Sequence, residues 1–472
     1  MNIFYPLCLG AFVAIGEKNM AKEFPLVSGQ VQPVSTKFRK LSGVIPNART
    51  IKEIEKLRQA ESLSMRGQPP IIWDHAEGVN VYDGDGNMWL DFSSGVLITN
   101  AGHGHKKIVD AITEVASKPL LTTYCFPNQP RIDLVQKLVS LAPKGLNKVF
   151  LLSTGSETTE CALKLMRTHG RKIADNKSVI VSFENAFHGR TLGAQQMGGL
   201  GKGRAWIKNL DPEIVQVPFP DGFRCEDTSF ELFEKTLAAL GVEPDNVTGI
   251  ISETYQGAGP NFMPKQYAKD LRRWCDDHGA LLCFDEVQAA FGRCGTMWGF
   301  ELYDVAPDLF CLGKGLSSSL PISAVIGTES VMDLYGPNEM TSTHTGNPVC
   351  CAAALASIEV IEQEKLVQNA AKVGPILQEH LQQIRSEFSQ TIGFAPGAGL
   401  VAGLLIVKKG SKDPDYELAW NVVNLCFRKG LLMFAPVGLG GGCVKIAPPL
   451  CITKEAVKEG CEVIAEALRE LV

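Results

Sequence analysis

Three short stretches carry residue types that could act on one small molecule. In "DLFCLGKG" an apolar run ends on Lys314, set between two glycines. A partly desolvated lysine has its ammonium form disfavoured, and the free amine is a nucleophile that condenses with aldehydes. In "ALLCFDEVQAAFGRCG" a second run ends on Asp285. An acid at the buried end of such a run needs a partner, and a cationic ring nitrogen would serve. In "FLLSTGSETTECALKL" a third run passes through Ser153-Thr154-Gly155-Ser156 into a helical pattern. Free backbone N–H groups and the positive end of a helix dipole make such a junction a phosphate site. Singly, each stretch also has a bland reading: a strand-end lysine reaching for solvent, a structural ion pair, a Gly/Ser loop.

Together they offer an amine for an aldehyde, a carboxylate for a pyridinium nitrogen and a cradle for a phosphate. Those are the requirements of pyridoxal 5′-phosphate (PLP). Active groups of an open α/β sheet gather at the carboxyl ends of its strands, which would bring the three together. From about residue 148 the runs "KVFLLS", "SVIVSFE", "VTGIISE", "ALLCFDEV" and "DLFCLG" alternate with helical segments. The pattern predicts an α/β fold whose mostly parallel sheet is covered by helices, with active groups at the carboxyl ends of the strands. "SETTECALKLMRTHG" reads as a helix stopped by Gly170, and "PKQYAKDLRRWCDDHG" as one that starts near Pro264 and ends before Gly279.

Flanking segments complete the layout. "RTIKEIEKLRQAESL" places Ile51, Ile54 and Leu57 on one stripe of a helix, and "VNVYDGDGNMWLDF" is a hairpin pattern. A helix over "NPVCCAAALASIEVIEQEKL" opens a smaller α+β part that includes "GLVAGLLIV" and "CVKIAPP". The expected division is 1–80 as an N-terminal segment packing on the small domain, 81–345 as the large cofactor-binding domain and 346–472 as the small domain.

The 472 residues suffice for two large cores, and a net charge of −5 gives no electrostatic case for nucleic acid or an anionic membrane. Fourteen cysteines include no C-x-x-C pair, so they read as thiols of a reducing cytoplasm. The apolar start "MNIFYPLCLGAFVAIG" lacks a basic n-region and a clear cleavage site, and reads as an extension or an early start ahead of Met20. His103 and His105 in "GHGH" read as a turn, and no metal is expected.

The chain resembles the class III (ω-amino-acid type) aminotransferases of PLP fold type I. The resemblance spans roughly residues 40–470. It rests on "STGSETTECALKL", "FENAFHGRTLGA", "DEVQAAFGRCG", "LGKGLSSSLPISAVIG" and "STHTGNPVCCAAALA", in the family's order. It implies that Lys314 carries PLP in a Schiff base and that Asp285 pairs with the ring nitrogen. Phe187 and Val287 would press on the two ring faces, with His188 beside them, and Gln288 would reach the ring hydroxyl. Gly155 and Ser156 would hold the phosphate. Thr343 resembles the threonine that reaches the phosphate of a neighbouring subunit, which implies self-association with the active site at the subunit interface.

For the substrate, the resemblance places Val96, Tyr124 and Phe126 on the pocket wall, Arg190 opposite a distal carboxylate, and Glu253 near the cofactor. Two positions depart from the family. Members that use 2-oxoglutarate usually hold its carboxylate with an arginine before an "APP"-like turn, and park that arginine on a glutamate in an "EPVQGEGG"-like loop. Here "CVKIAPPL" and "ETYQGAGP" put Lys445 and Ala258 at those places. Lysine cannot form arginine's bidentate fork. The implied activity is a ping-pong transfer of an amino group from an ω- or β-amino acid or related amine to a keto acid, pyruvate or 2-oxoglutarate. A racemase, epimerase or aminomutase would use the same apparatus, and the altered pair keeps that alternative open.

Overall fold

Each of the five apolar runs forms a strand. The structure, a computed structural model, describes residues 23–472, and the apolar start of the chain lies outside them. Seven strands form one sheet: β1 Lys148–Leu152, β2 Val179–Phe183, β3 Ile214–Val217, β4 Val247–Glu253, β5 Leu281–Asp285, β6 Leu309–Leu312 and β7 Ser323–Gly327. Their order is β1-β7-β6-β5-β4-β2-β3. β7 runs antiparallel to both neighbours, and the remaining pairs are parallel. β4 to β7 are buried at every residue, which is why most of them read as continuous apolar runs rather than alternations.

Helices cover the sheet. α1, Gly155–Ile173, begins on a capping box in which Thr154 and Glu157 satisfy each other's backbone N–H groups. It does not stop at Gly170 but runs through it to Ile173. A Cβ at Gly170 would collide with the Lys177 carbonyl and the Thr248 hydroxyl, so this glycine lets the helix approach the sheet. α2, Lys265–Asp277, follows Pro264, and Gly279 takes a left-handed conformation just beyond it.

Two smaller sheets flank this layer. In one, Val401–Ile406 pairs with Ile392–Phe394, Gly397–Ala398 and Cys443–Ile446. In the other, the hairpin Asn80–Asp83/Met88–Asp91 turns on the Asp83 carboxylate, which accepts the N–H groups of Asp85 and Asn87. Leu431–Leu432 joins that sheet parallel to Met88–Asp91. The helix Ala48–Ala60 keeps Ile51 and Ile54 half-buried and leaves Leu57 exposed. Arg293 is fully buried and ties three segments together. Its Nη1 donates to the Leu400 and Pro448 carbonyls at 2.9 and 2.5 Å, and its Nη2 to Ser94 Oγ and Asn100 Oδ1 at 3.2 and 2.8 Å. Among the described residues, no helix is long and apolar enough to cross a membrane.

Candidate active site

The carboxyl ends of the parallel strands bring the predicted residues together. β5 ends on Asp285, whose register partners are Glu253 at the end of β4 and Cys311 on β6. Lys314 lies two residues past β6, and Phe187 and His188 lie in the segment after β2. Val287 joins the groups physically. A Cβ on Gly155 would meet Val287 Cγ1 at 2.9 Å, and one on Gly313 would meet it at 3.2 Å. Only glycines let the start of α1 and the backbone beside Lys314 close on that side chain. Gly189, at φ +124°, similarly lets the "FHGR" segment close on Ser156. The Arg190 N–H then donates to Ser156 Oγ at 3.3 Å.

Asp285 is buried. Its Oδ2 is 2.8 Å from His188 Nδ1, and its Oδ1 accepts the Val287 N–H at 3.1 Å. Burial works against charge on His188, yet the hydrogen bond and charge of Asp285, with Glu253, hold it above the ordinary histidine range. His188 Nε2 is buried with no hydrogen-bond partner. Glu253 accepts N–H groups from Phe187 at 2.9 Å and Gly257 at 2.7 Å. Burial, opposed by His188 and reinforced by Asp285, raises its carboxyl to about 7. Lys314 is half-buried, at φ +41°, a region that costs a non-glycine residue on the order of 1–2 kcal/mol. Burial pulls its amine below the ordinary lysine range, while Asp285 and Glu253 pull the other way.

The remaining predicted residues spread outward. The Arg190 side chain is exposed, its guanidinium 5.9 Å from the centre of the Phe187 ring. Val96, Tyr124 and Phe126 are exposed in the single chain, Phe126 by 75 %, and Thr343 is exposed as well. Val96 lies in a run of four left-handed residues, Ser94 to Leu97. The Ser94 hydroxyl fastens that run by donating to the Ala447 carbonyl at 2.6 Å while accepting from Arg293. Lys445 is buried and turned onto protein acceptors, the Gln288 amide oxygen and the Gly257 carbonyl. Burial, and next the charge of Lys314, lower Lys445 to about 7. Arg293 and Ser94 are not evident from the sequence as parts of the site. The available signal was a lone arginine in "AAFGRCG", with no acid close by in sequence to pair it.

The donor set fits PLP. A deprotonatable amine, a carboxylate held by a histidine, and the N–H groups of Gly155 and Ser156 at a helix start all lie around Val287. When bound, the cofactor supplies an aldehyde to take up an amino group and a ring that accepts the electrons released at the carbon bearing it. This site on a mostly parallel sheet defines a PLP-dependent enzyme of fold type I.

A model of the aminotransferase class-III family matches residues 63–468. A 5-aminovalerate aminotransferase of Pseudomonas putida is 33 % identical over 85 % of this chain and 94 % of its own. An alanine/serine racemase of Pyrococcus horikoshii is 31 % identical over 90 % of this chain and 91 % of its own. A PLP-bound amine transaminase from an uncultivated Pseudomonas species superimposes with a TM-score of 0.79 at 27 % identity, covering 93 % of this chain and all of that one. The chain belongs to the class III aminotransferases and is a PLP-dependent enzyme working between an amine donor and a keto acid acceptor.

Proposed function

We propose that this aminotransferase takes its amino group from an ω- or β-amino acid, or a related amine, with an acid group distant from the reacting amine. The observation that carries the reading is Arg190. Its backbone is fixed to Ser156, its guanidinium stands beside Phe187, and no carboxylate among the described residues pairs with it. Lys314 takes up the amine chemistry and moves the proton, Asp285 holds the ring nitrogen with His188 behind it, and Gly155 and Ser156 hold the phosphate. Phe187 and Val287 flank the ring. The acceptor is pyruvate or 2-oxoglutarate, in a ping-pong cycle.

We further infer that a second copy of the chain completes the site. Val96, Leu121, Tyr124 and Phe126 are large apolar residues exposed in the single chain, and Thr343, which the family resemblance assigns to a neighbour's phosphate, is exposed as well. The division at residues 81 and 346 is part of the same reading, supported by the separate sheet around Val401–Ile406. The described cysteines are free thiols, and a reducing, cytoplasmic setting is part of the same reading.

The test is the visible spectrum of the enzyme with each candidate amine and no keto acid. Loss of the Schiff-base band with one donor supports the reading and names the donor. A second reading, racemisation, is favoured by the relatedness to an alanine/serine racemase and by Lys445 standing where arginine is usual. It predicts exchange of the Cα proton with solvent while the band persists.

A further inference from the structure

Lys445 stands where members that use 2-oxoglutarate usually carry an arginine, and its surroundings give it another task. It sits on Cys443–Ile446, opposite Gly403 of the neighbouring strand, with 2 % of its surface exposed. Nζ donates to Gln288 Oε1 at 2.7 Å and to the Gly257 carbonyl at 2.9 Å, and lies 5.1 Å from the centre of the Tyr255 ring. Two donors go to oxygens and the remaining side of the amine meets a ring face, so no N–H is left for a substrate carboxylate.

Gln288 is the residue this arrangement controls. An amide presents an oxygen that accepts and a nitrogen that donates, and a neighbour decides which way round it sits. The charged and the neutral amine both carry N–H groups, and the one donated here holds the Gln288 oxygen toward Lys445. The amide nitrogen lies against Gly257, where a Cβ would collide with it, and has no acceptor among the described residues. The Gly257 N–H is bonded in turn to Glu253, so one turn carries both contacts.

We propose that Lys445 is a positioning residue that fixes the Gln288 amide with its N–H2 free for the cofactor's ring oxygen, and that it is not a carboxylate clamp. The proposal rests on the reading that Gln288 lies beside the cofactor ring. The acceptor's carboxylate is therefore recognised by other groups. An amine lowered to about 7 is also only partly charged at neutral pH, which suits a hydrogen-bonding post better than an ion-pair partner.

The experiment is a double-mutant cycle on PLP affinity, measured by titrating cofactor-depleted full-length enzyme with PLP, alongside the visible spectrum and the keto-acid KM of the holoenzyme. Gln288→Leu should weaken PLP binding about tenfold, Lys445→Met by a similar factor, and the pair by no more than either alone. The keto-acid KM should change less than about threefold with Lys445→Met. Lys445→Arg should leave the keto-acid KM unimproved, because the Gln288 and Gly257 oxygens take up the N–H groups offered from this position. Should Lys445→Met not fold, Lys445→Gln is read in the same cycle. A keto-acid KM raised tenfold or more with PLP affinity unchanged, or a gain with Lys445→Arg, overturns the proposal. If Gln288→Leu itself leaves PLP affinity and spectrum unchanged, the placement of Gln288 beside the cofactor has failed instead.

Discussion

His188 and Asp285 form a buried pair, Nδ1 to Oδ2 at 2.8 Å, and the second ring nitrogen of the histidine has no partner. The histidine holds the acid in place from behind. Replacing it by leucine leaves the Asp285 oxygen without its strongest donor. A buried hydrogen bond to a charged group contributes roughly 1.5–3 kcal/mol. His188→Leu should lower kcat about 10- to 100-fold, as steady-state kinetics would show; an unchanged kcat would remove the histidine from the site.

Lys314 is the residue proposed to condense with the cofactor's aldehyde, and burial holds its amine below the ordinary lysine range. Lys314→Ala should bind PLP without the Schiff-base band and lose about a thousandfold or more of its turnover. Reduction of the wild type with borohydride, followed by peptide mapping, should find the cofactor fixed to Lys314. A label on any other lysine contradicts the assignment.

Gly155 has no space for a side chain, since an added Cβ would meet Val287 Cγ1 at 2.9 Å. Gly155→Ala must displace Val287, the side chain assigned to one face of the ring. Overpacking of this kind costs about 1–3 kcal/mol. PLP affinity, followed by absorbance titration, should fall at least about tenfold while the far-ultraviolet dichroism is kept.

Glu253 holds its proton longer in the fold than in the unfolded chain, with a carboxyl near 7 against an ordinary 4.5. The folded state therefore binds the extra proton between those values. Stability from this group is full below about 4.5 and is lost as pH rises through 7. In thermal scans of the cofactor-free protein from about pH 5 to about pH 8, the wild type should lose about 2–4 °C more than Glu253→Gln. Equal losses would show that the carboxyl is ionised throughout.

Arg293 serves four acceptors on three segments, none of them a carboxylate. Arg293→Met strands the Leu400 and Pro448 carbonyls and loosens Ser94, which fastens the left-handed run that carries Val96. Denaturant unfolding should show a loss of about 3–5 kcal/mol. Ser94→Ala should instead spare most of the stability and widen the range of amines accepted.

The strands were legible because a parallel sheet covered on both faces needs apolar residues along its strands, and "VTGIISE", "ALLCFDEV" and "DLFCLG" show it. β3 was harder to see, being four residues at the sheet edge with Gln216 and Val215 only half-buried. β7 was obscured because "SAVIG" follows a Ser-rich loop and runs against its neighbours. Gly170 misled because its reason, a carbonyl and a hydroxyl pressed against α1, comes from other elements. The Lys445 to Gln288 contact was invisible for the same cause: the residues are 157 positions apart, and only the folded sheets bring them together.

The strand Leu431–Leu432 seats beside Met88–Asp91, near opposite ends of the chain. A ribosome releases Met88–Asp91 long before Leu431–Leu432. Until the late strand arrives, Leu90 and Asp91 lack their partners on one side, and an unpaired strand edge is a template for unwanted pairing. The same holds for any product of premature termination before residue 431. This early-made strand is thus among the last to be completed, waiting on the final forty or so residues of the chain.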